Sequence, residues 1–141
     1  MRLATMALLG LLLACGKAAE APPADASMGV DLASLAGTWN LRTTPDGRDT
    51  VITSEIMATG TTEGWTMTMA GREPVPVRVR VDGDSIITET GPFPSVLREG
   101  VMVTTSAVYH VVDGRLVGTL VARYEGAADS VMTGKQEATR Q

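Results

Sequence analysis

"WTMTMAGREPVPVRVRV", residues 65–81, decides the fold. Trp65, Met67 and Met69 alternate with Thr66 and Thr68. Val75, Val77, Val79 and Val81 alternate with Pro76, Arg78 and Arg80. A period of two sends successive side chains to opposite faces of a strand, whereas a helix repeats its apolar positions every three or four residues. One face of each run is apolar and the other polar. That is the pattern of an antiparallel sheet with one side on a core and the other in water.

The same pattern extends along the chain. In "RLVGTLVARYE", residues 115–125, Leu116, Leu120, Ala122 and Tyr124 share a face, with Arg115 and Arg123 opposite. "TPDG" at 44–47 has proline at the second position of a type I turn. Asp82-Gly83 and Asp113-Gly114 separate alternating runs and signal tight hairpins. Strands are predicted over 38–43, 48–57, 64–70, 75–81, 84–90, 100–112, 115–125 and 130–140. "DLASLAG", 31–37, predicts one helical turn, capped by Asp31 and stopped by Gly37. The fold class expected is all-β. About eight antiparallel strands form an up-and-down meander, closed as a small barrel so that no edge is left open. An eight-stranded β-sandwich is the alternative.

Gly37-Thr38-Trp39, placed after a helical turn and at the start of the first strand, resembles the G-x-W of lipocalin-like (calycin) barrels. The resemblance implies a tryptophan, Trp39, lying across a closed end, with an arginine of the last strand, Arg140, packed on it. Independently, an even number of antiparallel strands brings the start of the first and the finish of the last to one end.

The amino terminus carries an address. Arg2 precedes an apolar stretch, Leu3 to Leu13. It is shorter than the roughly 20 residues a spanning helix needs and fits a signal-peptide core. Leu12-Leu13-Ala14-Cys15 resembles the bacterial lipobox. That resemblance implies cleavage before Cys15, diacylglycerol on its sulfur and a membrane anchor in the bacterial cell envelope. Gly16, in place of Asp, directs it by the same resemblance to the outer membrane, facing the periplasm. Residues 17–31, rich in Ala and Pro, read as a tether. The expected organisation is a signal peptide over 1–14, a lipid-anchored linker over 15–31 and a lipocalin-like domain over 32–141.

Composition narrows the function. Sixteen acidic against twelve basic residues give a net charge of -4, which argues against a nucleic-acid surface. A single cysteine excludes an internal disulfide framework and any multi-cysteine metal site. The single histidine, His110, alternates outward with Met102, Thr104 and Ser106, so no Ser-His-Asp constellation is signalled. Outward Arg78, Arg80, Arg115 and Arg123 are expected in cross-strand ion pairs. No catalytic residue, cofactor or metal is expected.

The long connection "GPFPSVLRE", 91–99, falls at the same end as 44–47, 70–74 and 125–129, whereas the Asp-Gly hairpins fall at the other. This predicts a mouth and a floor. Met69, Arg72, Phe93, Val101, Val103 and Tyr124 are the candidate residues for a small apolar or amphipathic ligand. The alternative is a filled barrel whose surface binds another envelope protein.

Overall fold

The computed structural model describes residues 29–126 and 130–141. The expected signal peptide over 1–14, Cys15 and the expected linker up to residue 28 lie outside the described residues. A short 3-10 turn, Leu32–Leu35, leads into eight strands. These are β1 (Gly37–Pro45), β2 (Ile52–Ala58), β3 (Trp65–Met69), β4 (Val75–Asp82), β5 (Ser85–Pro94), β6 (Met102–Val112), β7 (Arg115–Tyr124) and β8 (Val131–Arg140). Each pairs antiparallel with the next, and β8 returns to β1 to close the barrel. The closing register runs from Trp39↔Arg140 to Pro45↔Gly134. No edge remains to recruit a foreign strand.

The period-two pattern lies where it was expected. Trp65, Met67 and Met69 face inward and are buried, with Thr66 and Thr68 between them only half-buried. Leu116, Leu120, Ala122 and Tyr124 are buried while Arg115 and Arg123 are exposed. Arg42, Arg78, Arg80 and Lys135 also point to solvent. An apolar lumen with a charged outer wall is the reverse of a membrane-spanning barrel, whose outer band is apolar. On that wall Arg78 pairs with Glu89 of β5, and Arg115 with Glu137 of β8 at 3.1 Å. Such exposed pairs contribute little stability.

The turns follow their chemistry. Asp113 and Gly114 both take positive φ, 50° and 74°, as a two-residue hairpin of the mirror-image type I requires. In the β4–β5 hairpin the paired residues are Asp82 and Ser85, so Gly83 and Asp84 form the turn rather than Asp82 and Gly83.

Two boundaries and the burial of one residue differ from expectation. β2 starts at Ile52 rather than 48, because the turn after Pro45 continues through the exposed residues 48–51. β5 runs on to Pro94, with its register to β6 shifting between Thr90 and Phe93. The one extra residue of this bulge lets Pro92 fit inside the strand, which ends at Pro94, so the long connection shrinks to residues 95–101. β4 is apolar on one face, yet Val81 is 37% exposed, because it sits at the hairpin end beyond the packed lumen.

Candidate functional site: the mouth of the barrel

The floor explains why the site lies at the other end. Trp39 and Trp65, each 1% exposed, fill the lumen there with Leu41, Ile86 and Leu116. Each indole N–H donates to a carbonyl four residues upstream, Leu35 O at 2.9 Å and Thr61 O at 2.7 Å. The guanidinium of Arg140 stacks over the Trp39 ring at 4.5 Å. It also donates to Ala36 O at 2.8 Å and Ser34 O at 2.6 Å, tying the last strand to the 3-10 turn. Gly37 makes this possible. Its φ is 134°, and a Cβ there would stand 3.0 Å from Arg140 Nη1.

Above the floor a single rung crosses five strands. Ile86, Tyr109, Gly118, Gln136 and Thr43 are successive register partners on β5, β6, β7, β8 and β1. Gly118 carries no side chain, so the Tyr109 ring lies across β7. A Cβ on Gly118 would meet Val108 O at 2.1 Å and Tyr109 Cδ1 at 2.9 Å. The Tyr109 hydroxyl donates to Gln136 Oε1, and Gln136 Nε2 donates to Thr43 Oγ1 at 2.8 Å. Burial drives the Tyr109 pKa well above the ordinary tyrosine value, with a hydrogen bond to Thr88 pulling the other way. The phenol therefore stays neutral in the fold.

The mouth lies above this rung. Met67, Met69, Phe93, Val103, Leu120 and Met132 wall a half-enclosed cavity of about 60 Å³. Thr43 and Gln136 lie at its base, and Tyr124, Val96 and Leu97 complete its upper part. A single water needs about 10–15 Å³ and drug-sized pockets hold about 300–1,000 Å³. The resting cavity therefore suits a small molecule or the end of a chain. Methionine walls adapt by changing rotamer.

The segment 95–101 straps the mouth. Ser95 Oγ accepts from Leu97 N and Arg98 N, both at 3.0 Å. Ser95 N donates to Val101 O at 2.8 Å. Arg72 donates to Pro94 O and, at 3.2 Å, to Ser95 O. The Arg98 guanidinium stacks on the Tyr124 ring at 4.3 Å.

Of the residues expected at a ligand site, Met69, Phe93, Val103 and Tyr124 line the cavity. Arg72 and Val101 do not. Arg72 reaches over the outside to hold the strap, and Val101 spends its backbone on it while packing partly against the core. Phe93 belongs to β5 and pairs with Val103, so it is part of the wall rather than a plug carried by a loop. Met67, Leu120 and Met132 were missing from that group, although their alternation with outward residues marks them as inward. Thr43, Ser54, Thr105 and Gln136 were also missing. A polar residue in a half-buried strand reads as outward, and only the register reverses that.

His110 is half-exposed on the outer wall, with Nδ1 3.8 Å from Asp84 Oδ1. Among the described residues no three His, Cys, Asp or Glu side chains converge as metal ligands. Comparison with known protein families, curated proteins and solved structures finds no match.

Proposed function

We propose that this chain is a bacterial envelope lipoprotein, tethered by acylated Cys15. In this reading its lipocalin-like barrel binds a small apolar or amphipathic molecule at the mouth and catalyses nothing. One observation carries the ligand reading: a half-enclosed apolar cavity walled by three methionines and a phenylalanine, above an internally hydrogen-bonded rung. Affinity would come from apolar area removed from water, about 25 cal/mol per Å². The calycin reading draws on the G-x-W at 37–39, the stacked Trp39–Arg140 pair and the eight-stranded meander. The anchor draws on Leu12-Leu13-Ala14-Cys15 alone. Two or more acyl chains give a stable anchor where one gives only marginal binding.

Native mass spectrometry of the protein purified from membranes tests the ligand. A reproducible small adduct, released by solvent extraction, is expected. An empty protein whose melting temperature responds to neither phenol nor toluene would sink the reading. Cys15→Ser is expected to move the protein from the membrane to the soluble fraction, and unchanged partitioning would refute the anchor.

The second reading, a filled barrel that binds another envelope protein, draws on four valines at the hairpin end. Val81, Val108, Val111 and Val112 are exposed on β4 and β6.

A further inference from the structure

The walls of the mouth cavity are apolar, yet its depth is not. Thr43, Ser54, Thr105 and Gln136 contribute to its lining. Ser54 faces inward from β2 and Thr105 from β6, four strands apart on opposite walls. Among the described residues no protein group hydrogen-bonds to either hydroxyl, whereas the neighbouring rung is internally paired. Thr43 Oγ1 accepts from Gln136 and still has its own proton to give. Among the described residues no charged side chain lines the cavity.

From this we infer that the cavity takes a small neutral molecule that carries a hydroxyl or carbonyl at its buried end and an apolar body toward the strap. This rests on the ligand reading above and adds class and orientation to it. A purely apolar occupant would strip water from Ser54 and Thr105 without replacing it. A buried polar group left unpaired is worse off than one in water. An ionised inner end would meet no counter-charge among the described residues and would be worse off still. A neutral hydrogen-bonding end satisfies the hydroxyls, while the methionines cover its apolar body. A site built this way rejects the analogue that lacks the polar atom.

Phenol and toluene form the test pair, being of one shape and differing in the hydroxyl. Their dissociation constants are measured by titration on the purified protein and on the Ser54→Ala/Thr105→Val double variant, with circular dichroism and melting temperature confirming the fold. The phenol preference over toluene is expected to fall about tenfold in the double variant, equivalent to about 1.4 kcal/mol. Thr105→Val alone, which keeps the side chain's shape, is expected to give a fall of about threefold and serves if the double variant does not fold. Toluene binding with an unchanged phenol-to-toluene ratio would overturn the orientation and leave an apolar site standing. Binding of neither probe to the unaltered protein would overturn both readings.

Discussion

The two ends of this barrel are built from the same strands and differ in what fills them. The floor holds two tryptophans, each with its N–H bonded to a local carbonyl, and a guanidinium laid over one of them. The mouth holds methionines, a phenylalanine and a void of about 60 Å³. Large flat rings have few rotamers and pack densely, whereas methionine has three rotatable bonds and tolerates gaps. The contrast teaches that stability and adaptability are divided lengthwise along one lumen. The rung Tyr109–Gln136–Thr43 marks the boundary between them.

The largest expected effect breaks the floor. Trp39→Ala should cost about 3–5 kcal/mol in urea unfolding. The matching truncation at the mouth, Met69→Ala, should cost about 2 kcal/mol, the lower end for a buried methionine, because it enlarges an existing void. Equal losses at the two ends would erase the contrast. Next comes the boundary. Tyr109→Phe keeps the ring over Gly118 but leaves Gln136 Oε1 without its donor, at a cost of about 1–2 kcal/mol. The same variant has a pH signature. The unfolded chain ionises its tyrosine near pH ~10, whereas burial keeps Tyr109 protonated in the fold. Stability is therefore fully present below that pH and falls above it, by up to about 1.4 kcal/mol per pH unit from this group. Unfolding titrations at pH 9–11 should show that part of the slope vanish in Tyr109→Phe. The smallest effect belongs to Arg140→Lys, about 0.5–1 kcal/mol, since an ammonium keeps the charge over Trp39 but not the planar pair of donors. Its check is the difference in melting temperature from the unaltered protein.

The fold was legible because its signals are local. Alternation over 65–69 and 75–81 sets which face is inward, and the Asp-Gly pairs set where the chain reverses. Closure was legible from the run of consecutive hairpins and the edges it would otherwise leave open, with strand parity bringing Trp39 and Arg140 to one end. The site was legible only in part, for a physical reason. Met69, Phe93, Val103 and Tyr124 combine an apolar side chain with a position near the mouth, and both properties are written in sequence. Arg72 and Val101 share the position only, and a loop residue's direction is set by what it can bond across the rim. Gly118 is the sharpest case. Within a strand it reads as a weak point, yet it is the slot that a ring from the neighbouring strand requires. That need arises between β6 and β7, and no window of one strand contains it. The length of β5 was misjudged because Pro92 and Pro94 normally end a strand, and the bulge that admits Pro92 depends on β6.

The chain enters the barrel beside Arg140 and finishes beside it, with Gln141 N donating to Thr38 O at 3.0 Å. A leash on the amino terminus would join the pole that holds the tryptophans, with the opening at the opposite pole. In the proposed lipoprotein the opening would face across the compartment rather than down into its own bilayer. Cargo would then be exchanged with a distant donor or acceptor, and a reporter fused after Gln141 would leave that exchange unobstructed.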